Sequence, residues 1–261
     1  MVGSVVGTGN SAISNSHSTG IVNGRTGAGV GGLVGSVAHT GTGCTNIINS
    51  YATGTVDGAA ATGGLVGSLA DVGDISSSYA TGHVRSTGAA TGGLIGSAAD
   101  SGTISNSCAA GDVLGGGAGT GGLVGSNTAG TLSESFAVGN VSGSGRSIAG
   151  ITANAAMTVG ASTSGLAGSN SGLILNSYAA GSVEGFAAGV GGLVGDNFGT
   201  ITNSYVAGHV TGQTGASGVG ALAGFGTGMG TDGISPLSGK CPPPVRPMPI
   251  RYSEARKRHS P

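Results

Sequence analysis

Five histidines and ten carboxylates are the residues of this sequence best suited to acid–base or metal chemistry. His83 and His209 each stand just before a valine of a repeated segment, but four repeats separate them. If each repeat forms one layer of a stack, that separation is roughly 20 Å, too far to share a metal. His17 replaces an aromatic residue of the repeat, while His39 and His259 stand alone. We therefore predict surface or ladder histidines and no metal site.

The carboxylates do not suggest a catalytic cluster. We interpret them as occupying different repeat positions, with Asp71 and Asp74 as the closest pair, in a turn. Polysaccharide hydrolases and lyases built on β-helices need carboxylates or bases clustered on one face. Calcium-binding nonapeptides need a repeated Gly-Gly-x-Gly-x-Asp, which is absent. The sequence predicts no catalytic residue, although three acidic or basic side chains in one groove would favour an enzyme. The carboxylates considered are Asp57, Asp71, Asp74, Asp100, Asp112, Glu134, Glu184 and Asp196.

Neither the glycine motif nor the cysteines indicate a cofactor site or a disulfide framework. Residues 27–32 match G-x-G-x-x-G, but a dinucleotide site needs a helix to follow, and no helical pattern does. With 59 glycines in 261 residues, the match is expected by coincidence. Cys44 and Cys108 lie two repeats apart, about 9–10 Å in a stack, which exceeds disulfide reach. Cys241 lies beyond the repeats.

An internal repeat organises the chain, and two anchors define it. The first is the leucine of Gly-Gly-Leu-Val-Gly-Ser, and the second is the bulky residue of Asn-Ser-Tyr-Ala-Thr-Gly. In all seven copies the second anchor has Ser one residue before it, Gly three residues after it and Val five residues after it. The first anchors are Leu33, Leu65, Leu94, Leu123, Leu166, Leu193 and Leu222. The second anchors are His17, Tyr51, Tyr79, Cys108, Phe136, Tyr178 and Tyr205.

Each unit contains three strand-like pieces separated by Gly, Asn, Ser and Asp, as turns require. A unit this poor in apolar residues cannot bury its own face, so neighbouring units must stack in register. We predict an all-β, right-handed parallel β-helix of about seven coils of roughly 29 residues over residues 1–235, with an insertion near 143–160. Disorder is the alternative that high glycine content suggests, but it would not maintain regular Ile, aromatic and Val columns.

The orientation of the Asn residues before Ser stays open in the sequence. In a straight strand they would share the inner face with the Ile and aromatic residues, whereas a bend at Asn-Ser would reset the alternation. The residues concerned are Asn15, Asn49, Asn106, Asn176 and Asn203.

Charge is low and unevenly distributed. Only 7% of residues are charged, with three cations against nine carboxylates before Ser235. This acidic body has no electrostatic footprint for nucleic acid, and no apolar run is long enough for a membrane span. Residues 236–261 hold all seven prolines and six of the nine Lys and Arg, so we expect a disordered basic tail. Because both ends cut a repeat and no signal peptide opens the chain, we expect a fragment or a frameshifted product.

The combination Gly-Gly-Leu-Val-Gly-Ser and Ile-Ser-Asn-Ser-Tyr-Ala-Thr-Gly, repeated over about 1–235, resembles the GLUG repeat. That repeat occurs in large bacterial surface and secreted proteins, including filamentous-haemagglutinin-like adhesins and non-catalytic parts of immunoglobulin A peptidases. The resemblance implies export to the cell surface or the extracellular space, a β-solenoid, and an adhesive or spacer role. It supplies no catalytic residues, and the zinc-peptidase motif His-Glu-x-x-His is absent.

We therefore predict a structural or adhesion module, not an enzyme, without cofactors. Its partners would be a glycan or protein of a host or neighbouring cell, and further repeats at the open coil ends, whose unpaired edges favour association. The first alternative is a ligand-binding face for carbohydrate or ice. A threonine ladder at Thr19, Thr53 and Thr81 suggests ice, but Ala110, Val138, Ala180 and Ala207 interrupt it. The second alternative is a β-helix polysaccharide-active enzyme. The sequence does not identify the ligand or its binding residues.

Overall fold

The chain is a stack of parallel β-strands. The computed structural model describes residues 2–39, 43–70, 73–99, 102–143, 163–227 and 230–231. Within these ranges all regular secondary structure is β-strand, and the strands form five parallel sheets that run along one axis. Each coil contributes one strand to each sheet, and we number the sheets 1 to 5 in the order in which a coil visits them. This confirms the predicted β-solenoid of about seven coils.

Sheets 1 and 2 carry the Leu-Val and Ile segments of the repeat. The strands of sheet 1 are Val2–Gly7, Val34–His39, Val66–Ala70, Ile95–Ala98, Val124–Asn127, Ala167–Asn170, Val194–Asn197 and Ala223–Gly226. The strands of sheet 2 are Ser11–Ser14, Thr45–Ile48, Ile75–Ser76, Thr103–Ser105, Thr131–Ser133, Leu173–Leu175, Thr200–Thr202 and Gly230–Thr231.

Sheets 3, 4 and 5 complete each coil. The strands of sheet 3 are His17–Ser18, Tyr51–Ala52, Tyr79–Ala80, Cys108–Ala109, Phe136–Ala137, Tyr178–Ala179 and Tyr205–Val206. The strands of sheet 4 are Val22–Asn23, Val56–Gly58, Val84–Ser86, Val113–Gly115, Val141–Gly143, Val183–Gly185 and Val210–Gly212. The strands of sheet 5 are Ala28–Gly31, Ala60–Gly63, Thr91–Gly92, Thr120–Gly121, Thr163–Ser164, Ala188–Gly191 and Ser217–Gly220.

The predicted division of a coil into three strands is wrong, because the structure has five. One extra strand arises where the Ile and aromatic segments separate at the Asn corner. Asn106, for example, has φ of 48°, in the left-handed region that Asn tolerates better than most residues. Asn15, Asn49, Asn176 and Asn203 have φ of 49–50°. The other extra strand, in sheet 5, is rich in Gly and Ala and has no period-2 pattern that would indicate a strand.

The Asn corner also settles the orientation that the sequence left open. The bend resets the alternation, so that the Asn side chain points outward and the following Ser points inward. On the outside, Asn49 Nδ2 donates to Asn15 Oδ1 at 2.5 Å, and Asn203 Nδ2 donates to Asn176 Oδ1 at 2.6 Å. The coil-to-coil amide contacts therefore exist, but on the surface.

The interior is built from columns of identical or similar residues. Leu65, Leu94, Leu123, Leu166 and Leu193 are fully buried, as is the Ile column of sheet 2. The alanines of sheet 3 complete the same core, and the Val column of sheet 4 is also buried. Because each side chain lies on its counterpart in the next coil, the few apolar residues of each unit form a continuous core, to which the Val or Ile after the repeat Leu also contributes.

A column of serine hydroxyls lies beside this core. Ser107 Oγ donates to the carbonyl of Ser105 at 2.8 Å and accepts from the main-chain N–H of Ser78 at 3.2 Å. The same pairing of N–H to the next Oγ links every consecutive pair in the column Ser16, Ser50, Ser78, Ser107, Ser135, Ser177 and Ser204. The hydroxyl of the invariant Ser thus accepts from the main-chain N–H of the Ser in the preceding coil. The bend at the Asn corner leaves that N–H without a partner in the β-ladder.

The Gly three residues after the aromatic position is required by close packing. A Cβ on Gly111 would lie 2.0 Å from the carbonyl oxygen of Gly82, whereas a Cβ on Gly20, in the first coil, would meet nothing within 4 Å. The contact is with backbone, which cannot rotate away, so a side chain would push the two coils apart.

We expect Gly111→Ala to lower the free energy of unfolding by about 3 kcal/mol or more, because the methyl group overlaps a main-chain carbonyl. Gly20→Ala is the matched control and should change it by less than about 0.5 kcal/mol. Urea titration followed by circular dichroism measures both. Equal destabilisation by the two substitutions would contradict the close-approach explanation.

A buried hydroxyl column in sheet 5 offers a second test. Thr62 aligns with Val30 and Thr91, and Thr120 follows in the same column. Thr62 and Thr120 are fully buried. Thr120 Oγ1 donates to the Gly117 carbonyl at 3.3 Å, but Thr62 Oγ1 has no hydrogen-bond partner. A buried hydroxyl without a partner opposes folding.

Thr62→Val should raise the free energy of unfolding by about 1 kcal/mol or more, because it replaces the unpaired hydroxyl with a methyl group that the column already holds at Val30. Thr120→Val should give no gain, since it removes a hydrogen bond. The urea midpoints of the two variants and the wild type, compared at equal m-value, measure the change in stability. A Thr120→Val variant that is more stable than the wild type would contradict the explanation by hydrogen bonding.

Two predictions fall outside the described residues, namely most of the insertion near 143–160 and the tail 236–261. The part of the chain that the structure does describe includes no helix with the length and hydrophobicity of a membrane crossing.

Candidate functional site

The outer face of sheet 4 carries side chains of several chemical kinds. In these strands the inward valine is flanked by two outward positions, because alternate side chains point to opposite faces. The position before the valine forms a corner column of His83, Asp112, Asn140, Ser182 and His209. The position after it forms a strand column of Asn23, Asp57, Arg85, Leu114, Ser142, Glu184 and Thr211.

Main-chain amides of the next coil hold the corner column in place. The N–H of Asp112 donates to His83 Nδ1 at 3.2 Å, and the N–H of Asn140 donates to Asp112 Oδ1 at 2.9 Å. Asn140 Nδ2 also donates to Asp112 Oδ1 at 3.2 Å. The N–H of Ser182 in turn donates to Asn140 Oδ1 at 3.2 Å. These side chains are therefore oriented before any ligand arrives.

His83 Nδ1 also lies 3.6 Å from Asp112 Oδ2. Both side chains are more than half exposed, at 64% and 54%, so a ligand in solution can reach them.

The two columns enclose an open groove of about 550 Å³ that spans four coils. Of the eight Asp, Glu, Lys and Arg side chains in the described residues, four lie on this face, namely Asp57, Arg85, Asp112 and Glu184. The side chains that line the groove from the outer positions are His83, Arg85, Asp112, Leu114, Asn140, Ser142, Ser182 and Glu184.

The prediction that the carboxylates occupy different repeat positions is wrong for Asp57 and Glu184, and in the sequence alone Asp71 and Asp100 also share a position, six residues after the Leu of their repeats. Asp57 and Glu184 both follow the invariant Val of their coils and share the strand column with Arg85. The signal was present in the sequence, because aligning residues on that Val places them together. Asp74 instead accepts from the Thr103 N–H at 2.8 Å, in a corner, while Asp71 and Asp100 lie outside the described residues.

The remaining carboxylates do not add to the groove. Glu134 occupies the Asn corner, with φ of 49°, and Asp196 faces outward from sheet 1. Glu184 Oε1 accepts from Gln213 Nε2 at 2.6 Å. Asp112 and Glu184 are two coils apart, about 10 Å along the axis before their offset along the strands is added. Paired carboxylates of glycosidases are about 5–9.5 Å apart, so this pair does not match that geometry.

The other chemistry-bearing residues serve packing. His17 stacks on Tyr51 with ring centroids 5.0 Å apart, and His39 Nε2 lies 3.0 Å from the Gly9 carbonyl. His209 is exposed, four coils from His83. In the described ranges no three His, Cys, Asp or Glu side chains come close enough to hold a metal ion.

The structure also shows where the glycine motif and two of the cysteines lie. Residues 27–32 run into a strand and a turn that leads to another strand, which is not the strand–turn–helix of a dinucleotide site. Cys44 is a free thiol, so it does not pair with Cys108, as the repeat spacing predicted. Cys108 is disulfide-bonded, which the sequence did not indicate.

The aromatic column of sheet 3 lies on the side of that sheet opposite the main core, since its neighbouring alanines point inward. Tyr51 stacks on Tyr79 at 4.9 Å and 2°, and Tyr178 stacks on Phe136 at 4.9 Å and 4°. Burial raises the pKa of Tyr178 above 10.0, and the neighbouring Tyr205 raises it further. The rings therefore line up along one axis, as stacking requires.

The raised pKa of Tyr178 predicts a loss of stability in alkali. A folded-state pKa above the unfolded value contributes stability that is present below the ordinary value of 10.0 and lost as pH rises through the folded value. Tyr178→Phe cannot ionise, so its urea midpoint should fall less than that of the wild type above pH 10.0. Parallel losses in the two proteins would show that Tyr178 does not govern the alkaline transition.

Sheet 1 presents a more regular outer face. Six serines, Ser4, Ser36, Ser68, Ser97, Ser126 and Ser169, align before the column changes to Asp196 and Phe225. A second groove of about 360 Å³ lies over Ser126, Ser169 and Asp196, beside small residues such as Ala90 and Ala118. Its lining offers less chemical variety than the sheet 4 groove.

Comparison of the chain with protein-family models, with curated proteins and with solved structures gave no match. The resemblance to GLUG repeats therefore remains an expectation from the sequence motifs.

Proposed function

We propose that this chain is a non-catalytic repeat module with a structural and adhesive role in a bacterial surface or secreted protein. The main support is the unbroken register of its coils, in which columns such as Ile47, Ile75 and Ile104 continue from one coil to the next. Such a stack is a rod of roughly 35 Å that holds its outer faces in fixed positions. A rod with fixed outer faces suits a spacer that presents a contact surface.

The surface location and adhesin character follow from the resemblance of the repeat to the GLUG motif. They agree with a body in which most outward positions are small and uncharged, such as the serines of sheet 1, Ser97 and Ser126 among them. The partner would be a glycan or protein of a host or neighbouring cell. Ice is a weaker alternative, since the outward threonines Thr19, Thr53 and Thr81 cover only three coils.

A polysaccharide-active enzyme is the second candidate, because one groove contains His83, Arg85, Asp112 and Glu184. Against it stand the wide separation of the two carboxylates and the hydrogen bonds that already occupy one oxygen of each. We therefore place the binding role before the catalytic one.

Microspheres coated with the purified chain should adhere to glycan-coated or matrix-protein-coated surfaces more than to albumin. The chain should release no reducing ends or unsaturated sugars from a polysaccharide panel. Chain that is denatured in urea before it is coupled to the microspheres serves as the control for adhesion by folded protein. Turnover of any polysaccharide, or adhesion no greater than to albumin on every surface, would rule out the proposed function.

A further inference from the structure

Several of the few charged side chains of the rod lie close together on sheet 4. The groove on sheet 4 contains Arg85, Asp112 and Glu184, three of the eight such side chains in the described part of the chain, together with His83. Stacking does not require them, because the inward Val of each coil already supplies the packing. Contact with a ligand would explain why charged residues occur at these positions.

The strand column of this groove changes at every coil, whereas the outer column of sheet 1 keeps Ser through six coils before it changes. Arg85, Leu114, Ser142 and Glu184 succeed one another here, whereas sheet 1 repeats Ser through six coils. An outer position without a ligand could have remained Ser in the same way. Each coil therefore offers a different side chain, and a ligand that extends across several coils would meet a different contact at each one.

The groove offers the mixture of groups that sugars need. The Arg85 side chain makes no hydrogen bond or ion pair within the described ranges, so its guanidinium N–H groups are available as donors. Asp112 Oδ2 is available as an acceptor, the Ser142 hydroxyl can donate or accept, and Leu114 adds an apolar contact for C–H groups. The volume of about 550 Å³ lies in the range of small-ligand sites.

The charge balance argues against an acidic ligand. Arg85 contributes +1 and the carboxylates of Asp112 and Glu184 contribute −2, so these three side chains sum to −1. An anionic polysaccharide would meet net repulsion, whereas neutral hydroxyls can donate to the carboxylate oxygens and accept from the guanidinium.

We propose that the groove on sheet 4 binds a neutral glycan chain that lies along the axis of the solenoid. The four coils place successive contacts about 4.8 Å apart, close to the length of one pyranose unit in an extended β-linked chain. Main-chain amides fix Asp112 and Asn140 beforehand, so binding needs little side-chain ordering. This inference rests on the binding role proposed above and names its ligand and its site.

Affinity electrophoresis of the full chain in gels that contain mixed-linkage β-glucan, galactomannan or polygalacturonate tests the proposal. At least one neutral polysaccharide should retard the wild type more than polygalacturonate does. Ser142→Arg should abolish this retardation, because the longer side chain fills the middle of the groove. Asp112→Asn keeps the acceptor for the Asn140 N–H but loses the charge, and should weaken binding roughly tenfold.

Asp74→Asn is the matched control, since the Asp74 carboxylate also accepts a main-chain N–H of the next coil, from Thr103, but lies in a corner before sheet 2 and outside the groove. Its binding should equal that of the wild type. If circular dichroism shows that Ser142→Arg is unfolded, Arg85→Gln replaces it, because the Arg85 side chain is exposed and unpaired in the described structure.

Three results would overturn the proposal: no retardation by either neutral polysaccharide, stronger retardation by polygalacturonate, or wild-type binding by the folded groove variant. Failure of the groove can be separated from failure of the proposed function. Unchanged glycan binding and unchanged microsphere adhesion of the groove variant would reject only the site. Turnover of a polysaccharide by the wild type would reject the non-catalytic role whichever residues bind.

Discussion

Parallel main-chain hydrogen bonding between successive coils is the interaction on which every other feature depends. Because residues of one coil lie directly on their counterparts in the next, a single choice of residue is copied into a column. The Ile and Val columns become a core in this way, and the outward positions become continuous faces. The same constraint makes glycine obligatory where one coil passes over another, as at Gly111. Loss of register would remove the core and the groove together.

Polar groups inside the stack are tolerated because the same periodicity supplies their partners. The Ser107 hydroxyl satisfies an N–H of the preceding coil, and Asn127, Asn170 and Asn197 form a buried amide column with Nδ2 to Oδ1 contacts of 2.9 and 2.8 Å. A column that pairs with itself leaves a buried polar atom without a partner only at its end, where Asn127 Oδ1 accepts no hydrogen bond. Thr62 shows the opposite case within the same architecture, since its hydroxyl finds no partner.

The sequence was sufficient for the fold but only partly for the site. The Leu, Ile, aromatic and Val positions are large, regularly spaced and tied to stacking, so they predicted both the solenoid and its columns. The number of strands per coil could not be read, because sheet 5 is made of Gly, Ala and Thr, and the Asn corner depends on a backbone angle. The outward orientation of the aromatic column follows from that same angle.

The groove was missed for a different reason. Its members, among them Arg85, Asp112 and Glu184, come from separate coils and share no residue type, so no motif links them in the sequence. They become neighbours only when the coils are aligned on the invariant Val and the outward parity is known. Residues that stack recur at the same position of each repeat, so the repeat reveals them. The groove residues differ from coil to coil, so the repeat does not reveal them.

The serine column gives the rod a direction and makes its length adjustable. Every N–H in that column donates to the hydroxyl of the coil that follows, so the contacts all point the same way along the axis. A whole coil gained or lost by unequal recombination within the gene would find the same donors below and acceptors above. Tandem duplication can therefore lengthen such a molecule without a new packing solution, while outward residues are left to diverge one coil at a time.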